Sequence, residues 1–370
     1  MSIRVEAVQD ANHSEYQHFV RNCAQAVVQQ TSQWSNVIAA VGQDRPAHLL
    51  ARDESGAVVG VLPAFVFECE LGNLLISSPQ AGGYGGVAVE EGPWKEAVYQ
   101  ALLEEFVVTA RRNACVLATV ATPPFFGDVA LYRKYLQPDY ERENFYQYLD
   151  LRTDFVAKVE GEKTYNIRRN LRRNIKTAVD AGLTVSFDDT DQHFARWYDI
   201  HEQRMAELNA RALPRTLFEA SRKNLFADGL GFFAYVLDGS DVVAGALFVG
   251  LNQVLDIFMM SADSGYWEKH PNSLLVFETL KYAKAKDYTF YNWQSSSSRE
   301  SSVYHYKLGW GSREGLHYYL TRRIGDTGPL ERTPLETVIK RYAWHYVMPY
   351  DRWQTAEVNV EGADVPRTDA

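Results

Sequence analysis

Asp256 stands inside VLDIFMM, a run of otherwise apolar residues. If the run is a strand, alternation puts Val254, Asp256 and Phe258 on one face and Leu255 and Ile257 on the other. Such a carboxylate has three readings. It is a proton acceptor whose pKa burial has raised, a group lining a wet cleft, or an aspartate bonded to nearby backbone or an arginine. A second feature is cationic. The segment NIRRNLRRNIK carries Arg168, Arg169, Arg172 and Arg173. Wound as a helix, it places Ile167, Leu171, Ile175 and Val179 on one stripe, with Arg168, Arg172 and Lys176 on the next. Guanidinium forks grouped on one face suit phosphate oxygens. The same pattern also describes a solvated helix face.

The stretch SGYWEKHPNSLL predicts a helix N-terminus at His270, Pro271 and Asn272, because proline is tolerated in a first turn. Free amides and the helix dipole make such an end an anion site. Coenzyme-A acyltransferases place a glycine-rich pyrophosphate loop at such an end, and Trp267, Glu268, Lys269 and His270 stand here instead. Glu278, further along that helix, either faces solvent or turns toward a cleft to hold a loop. The glycine-rich run Gly82-Gly83-Tyr84-Gly85-Gly86 reads as a close chain crossing, or as a loop that lets a bulky substrate lie against backbone. It lacks the helix register of a P-loop. His193, His201 and Glu202 have no spacing that specifies a metal. Last comes SSSSRESSVYHYKLGWG, where Lys307 stands alone among Tyr304, His305, Tyr306 and Trp310.

The elements that must position these groups alternate along the chain. In the first half, helical spacing over 14–41 leads to the runs HLLARD and AVVGVLPAFVFE, joined by a turn at Glu54-Ser55-Gly56. A helix over 94–112, the buried run ACVLATVATPP and the strand FYQYLDL follow. The second half repeats the plan. Helices near 164–180, 191–208 and 214–226 lead to a hairpin around Asp238-Gly239-Ser240, the strand QVLDIFMMSA, a helix from Pro271 and the strand YTFYNW. LHYYLTRR and a helix in LETVIKRYAWHYVM close the fold. The shared order hints at duplication.

The chain has 370 residues, enough for two domains, with 46% hydrophobic and 23% charged residues. Its net charge of −9 argues against a wholesale polyanion surface, although a local basic patch still binds phosphates. Three scattered cysteines, Cys23, Cys69 and Cys115, indicate neither a disulfide framework nor a zinc site. The N-terminal stretch lacks the apolar region of a signal peptide, and no apolar run is long enough to span a bilayer. A cytoplasmic location is therefore expected. The acidic tail 354–370, which lacks aromatics, is expected to be disordered.

Four segments, in order, resemble the Fem-type aminoacyltransferases. Tyr84-Gly85-Gly86 is similar to the family's YGG motif. IRRNLRRNIKTAVDAGLTVSF is similar to the basic helix, glycine and strand that open its second domain. HPNSLLVFETLKYAKAKDYTFYNW is similar to its next helix and strand, with Glu278 at the acidic position. Tyr304 to Gly311 is similar to its closing Y-x-F-K-x-G-F-G. The departure is Gln294, which stands just after Asn292-Trp293 where the family has glycine. The resemblance implies an α/β (α+β) fold of two tandem GNAT-like domains, each a mixed, mostly antiparallel sheet flanked by helices. The expected boundaries are 1–158 and 159–330, with a C-terminal helix at 331–353 returning to the first domain.

The resemblance further implies that Lys307 lies where acyl donor meets acceptor amine. There its ammonium would meet the developing oxyanion or a phosphate, walled by Tyr304, Tyr306 and Trp310. A fixed cation in a low-dielectric setting stabilises such charge strongly. Asp256 is the candidate proton acceptor. Arg168, Arg169, Arg172, Arg173, Asn272, Glu278, Tyr84 and Gly85 are the candidate binding residues. The implied activity is amide formation, with an aminoacyl group moved from aminoacyl-tRNA to an amine of a cell-wall precursor or small metabolite, and no resident cofactor. The alternatives are an acyl-CoA-dependent N-acyltransferase and a nucleotide- or RNA-binding module without catalysis.

Overall fold

The computed structural model describes residues 2–42, 44–79, 83–152, 169–296, 298–342 and 345. Gly82, Arg168 and the tail 354–370 lie outside the described residues. The chain divides into two units, one built from 1–144 and 316–365, the other chiefly from 145–315.

The first unit begins with β1 (Arg4–Ala7), α1 (His13–Asn22) and α2 (Ser32–Val41). The helical spacing over 14–41 thus resolves into two helices. Thr31 starts the second, its hydroxyl accepting the Trp34 amide at 3.1 Å. β2 (Arg45–Pro46), β3 (Leu49–Arg52), β4 (Val58–Leu62), β5 (Phe65–Phe67), β6 (Asn73–Ile76) and β7 (Ala88–Val89) follow. The expected turn between β3 and β4 is formed, with Gly56 at φ 89°. β4 and β5 do not form one strand: Pro63 lies between them, β4 pairs with β3 and β7, and β5 with β2 and β6. α3 (Lys95–Arg112) buries Val98, Leu102, Phe106 and Val107, the expected stripe. β8 (Cys115–Ala121), α4 (Val129–Leu136) and β9 (Tyr140–Asp150) complete this stretch. α4 had no expectation from sequence.

β9 passes into the second unit at Phe145. That unit contains α5 (Arg169–Asp180), β10 (Leu183–Ser186), α6 (Asp191–Glu207), α7 (Arg215–Leu225), β11 (Gly231–Asp238), β12 (Asp241–Leu251), β13 (Val254–Ala262), α8 (Pro271–Ala285), β14 (Phe290–Asn292) and α9 (Ser302–Gly309). The strands run in the order β10-β11-β12-β13-β14-β9, antiparallel except for the parallel pair β13 and β14. Strand alternation serves both faces of this sheet. Ala244, Ala246 and Phe248 of β12 join a core with Leu171, Ile175 and Ala178 of α5 and Leu274, Val276 and Leu280 of α8. Gly245 faces the other way, against Trp197 of α6, whose indole donates to the Gly245 carbonyl at 2.9 Å. The apolar stripe expected on α5 is corrected at its end. Val179 is 55% exposed and Ala178 is buried, because seven residues nearly complete two turns whereas eight overshoot them.

β15 (Arg313–Arg323) carries the chain back, and Tyr319 to Arg323 pair antiparallel with Leu117 to Ala121 of β8. α10 (Gly328–Glu331) and α11 (Leu335–Arg341) follow. Leu330, Val338 and Tyr342 pack with Leu74 and Leu117, and the Tyr342 hydroxyl donates to the Gly72 carbonyl at 2.7 Å. The unit boundaries therefore fall inside β9 and β15 rather than at 158 and 330. Among the described residues, no helix is long and apolar enough to cross a membrane.

Candidate active site

The site is built where β14 ends. β13 continues to Ala262, but its parallel partner stops at Asn292, so the last paired residues are Asp256 and Asn292. Both are fully or almost fully buried. The Asn292 amide donates to the Asp256 carboxylate at 2.6 Å. The phenol of partly buried Tyr288 is pushed up to about 12, first by desolvation, with the negative charges of Tyr282 and Asp256 adding to it.

Just past Asn292 the chain turns. Gln294 adopts φ 61°, the left-handed region that glycine enters without cost. This is the position where the resembling family carries glycine, and the backbone bend is present with glutamine in place. The turned segment is held from the β9 side. The Trp293 amide donates to the Gln147 carbonyl at 2.8 Å, and the Gln147 amide donates to the Gln294 carbonyl at 3.2 Å.

Lys307 secures the same segment. The sequence SVYHYKLG forms α9, capped by Ser301, whose hydroxyl accepts the Tyr304 amide at 3.1 Å. Lys307 is only 4% exposed. Its ammonium donates to the Ser295 carbonyl at 2.8 Å, the Ser296 hydroxyl at 3.0 Å and the Gln294 carbonyl at 3.4 Å. Ser296 in turn donates to the Gln147 side-chain oxygen at 3.0 Å. The Gln147 side-chain nitrogen donates to the Tyr304 carbonyl at 3.2 Å and the Ser312 hydroxyl at 3.3 Å. A buried ammonium requires this density of acceptors, since desolvation without partners is costly.

The rings expected to enclose the cation are arranged differently. Trp310 is fully buried and packs with Tyr306 and Trp293, the three centroids lying 6.2 to 6.3 Å apart. The Tyr304 phenol turns to Glu314 at 3.1 Å, beside the Arg299–Glu314 ion pair. Helical backbone over Ser302–Gly309 sets this arrangement, because successive side chains fan out by about 100°.

The cationic candidates lie at a second place in this unit. α5 packs on α8, and Arg173 is close enough to lower the pKa of His270, after burial as the larger cause. His270 caps α8 at φ 53°, with Pro271 in the first turn as expected. Asn272 follows, half-buried, with its side-chain oxygen unpartnered among the described residues. Arg172 is half-buried and Arg173 exposed, while Arg169 opens the helix. The structure thus brings Arg173, His270 and Asn272 to one helix end. Glu278 is not among them: it pairs with Lys281 on its own helix at 3.3 Å.

Tyr84 and Gly85 belong to the first unit. Tyr84 is fully buried, edge-on to His317 at 5.1 Å. A Cβ on Gly85 would lie 2.6 Å from the carbonyl and hydroxyl oxygens of Ser77, and one on Gly86 would meet the Tyr132 hydroxyl. Gln30 donates to the Gly86 carbonyl at 2.9 Å. The glycines therefore have a packing role as a close chain crossing.

Sequence reasoning missed Gln147, Asn292, Ser296 and Ser312. The one local signal was Gln147, a polar residue on an aromatic strand. The others gain meaning only from contacts 11 to 165 residues apart.

Residues 165–307 match the model of the acetyltransferase (GNAT) domain. No curated protein matches the chain. Among solved structures, the chain is similar to FemX, at 13% identity and a TM-score of 0.69, covering 89% of this chain and 99% of that one. It is also similar to a tandem GNAT protein from the clavulanic acid biosynthesis pathway, at 11% identity and a TM-score of 0.54, covering 88% and 99%. A third is L-PGS from Bacillus licheniformis, at 11% identity and a TM-score of 0.53, covering 84% and 92%. At such identities the likeness shows the fold. The fold is therefore similar to that of FemX and of tandem GNAT proteins, and residues 165–307 match an acetyltransferase (GNAT) domain.

Proposed function

We propose that the chain forms amides by moving an aminoacyl group from aminoacyl-tRNA to an amine of a cell-wall precursor or small metabolite. The observation that carries this reading is the end of β14, where buried Asp256 and the Lys307-held segment 294–296 flank Asn292. The acceptor nitrogen forms a bond to the carbonyl carbon, whose π electrons move onto oxygen. Collapse of that oxyanion breaks the ester C–O bond. The amine gives up one proton and the departing ribose hydroxyl gains one. Asp256 would carry that proton. Aminoacyl esters are already activated, so alignment of the partners and oxyanion stabilisation are the main demands.

The donor is the point on which a second reading differs. The matching GNAT domain and the tandem GNAT neighbour, whose structure is described as without AcCoA, favour an acyl-CoA donor. The turn before α8 favours the first reading. Its Gly265 amide is taken by the Asp263 carboxylate at 3.0 Å, its Tyr266 amide by the Asp263 carbonyl at 3.0 Å, and the His270 amide by the Trp267 carbonyl at 3.1 Å. Amides spent within the turn do not face a diphosphate. Arg172, Arg173 and Asn272 would then hold phosphates of tRNA or of a nucleotide-linked acceptor. The test is a labelled-acyl transfer assay with each donor. Turnover from aminoacyl-tRNA that ribonuclease abolishes is the expected result. Saturation by acyl-CoA alone would overturn the tRNA reading, and phosphate-dependent binding without turnover from any donor would overturn catalysis.

A further inference from the structure

We propose that Asn292 is a positioning residue for the proton transfer: its side-chain amide ties the Asp256 carboxylate to the turn at Gln294 and keeps it in the ionised, proton-accepting form. This rests on the acyl-transfer reading, in which Asp256 takes the proton. It does not rest on the choice of donor, because an ester and a thioester both leave the amine with a proton to lose.

Asp256 and Asn292 stand directly opposite in the parallel pair β13–β14, and Asn292 stands opposite Tyr148 of β9. On the far side of Asp256, β12 places apolar Val249. The orientation of the Asn292 amide follows from its partners. The Gln294 peptide N–H reaches the Asn292 Oδ1 position at 3.2 Å, and a peptide N–H can only donate. The atom facing it is therefore the amide oxygen. The amide nitrogen then faces Asp256 Oδ1, at 2.6 Å. Enclosure favours a neutral carboxyl, and an N–H donated to the carboxylate favours the charged one. The turn requires only the oxygen of Asn292, which an aspartate would supply as well. The nitrogen serves Asp256.

The amide is itself well anchored. Gln294 is left-handed, with its N–H on Asn292 and its carbonyl accepting from Gln147 at 3.2 Å and Lys307 at 3.4 Å. Asn292 thus joins the carboxylate to a segment pinned from β9 and from α9. Titratable groups on the neighbouring elements include Tyr148 of β9, Tyr288 before β14, Tyr282 of α8 and His201 of α6, which bonds the Ser261 hydroxyl of β13 at 3.1 Å. Burial pulls His201 down to about 4 and pushes Tyr288 up to about 12, so neither is charged at neutral pH.

The test reads the carboxyl directly. Protein labelled with γ-¹³C-aspartate is titrated, and the Asp256 line is assigned by its loss in Asp256→Asn. In the wild type, the Asn292 side-chain ¹⁵N resonance is expected to move at the same midpoint as that line. Asn292→Asp keeps an acceptor for Gln294 and removes the donor. Two adjacent carboxyls then share one proton, and the Asp256 line is expected to titrate higher by about one pH unit or more. Asn292→Leu, which adds no charge, should raise it too. The acid limb of kcat should move up with the line while KM stays within about twofold, whereas a merely structural loss would lower kcat equally at every pH. An Asp256 line that titrates as in the wild type in both variants would overturn the proposal, as would an Asn292 resonance that does not follow it. Wild-type protein without turnover from either donor would instead overturn the acyl-transfer reading, since the titration needs no substrate.

Discussion

At the residue scale, Lys307 and Asp256 show how buried charge is tolerated. Each is almost fully enclosed, and each is met by a polar side chain from a neighbouring element, Ser296 for the lysine and Asn292 for the aspartate. Such groups are kept in place by satisfied partners, and removing one partner leaves the other exposed to the full desolvation cost. Gly85 is a different case, since its constraint is space. The oxygens its Cβ would strike belong to Ser77, one of them on backbone that cannot move aside cheaply. Gly85→Ala is expected to destabilise the protein by about 1–3 kcal/mol, the usual range for overpacking. Urea denaturation of the variant measures this. Unchanged stability would show that the crossing is looser than the structure has it.

At the element scale, α9 decides what the YHYKLGWG segment can do. Its helical form lets Lys307 reach back across the turned segment 294–296 while Tyr306 and Trp310, one turn apart, enter the core together. The N-cap is the element's weak point: Ser301 is half-exposed and supplies one hydroxyl to the Tyr304 amide. Ser301→Ala is expected to cost about 1 kcal/mol, and to lower kcat more than it raises KM, because fraying begins three residues before Lys307's own turn. Thermal denaturation and steady-state kinetics on the same preparation check both parts. A stability loss with kcat untouched would separate the helix start from the chemistry.

At the scale of the whole molecule, three buried histidines link folding to pH. Burial pulls His48 and His201 down to about 4 and His317 to about 3. His48 accepts the Ala64 amide at 3.0 Å and His201 accepts the Leu213 amide at 3.2 Å, both of which need a neutral ring. Each histidine is depressed when folded, so protons bind the unfolded chain more readily. Stability is then full above about pH 6.5 and falls as pH drops toward the folded values, by roughly 2 kcal/mol per histidine between pH 6.5 and 5. The first unit holds two of these residues and the second one, so urea midpoints at pH 7 and pH 5 should fall for both. Equal midpoints would mean that the rings are protonated in place. Much of this architecture was legible in advance. Local periodicity marked most strands and long helices, and turn residues such as Gly56 and Pro271 marked their ends, because backbone preference and one-sided burial act over a few residues. The helical state of 302–309, the partners of Lys307 and Asp256, and the crossing inside β9 and β15 were not legible. They depend on which carbonyls, amides and hydroxyls of separate elements meet, and contacts between separate elements leave no period in the sequence. The amino-acid order by itself determined the elements and the two candidate charges; only the tertiary structure decided that the cation grips backbone while its rings fill a core.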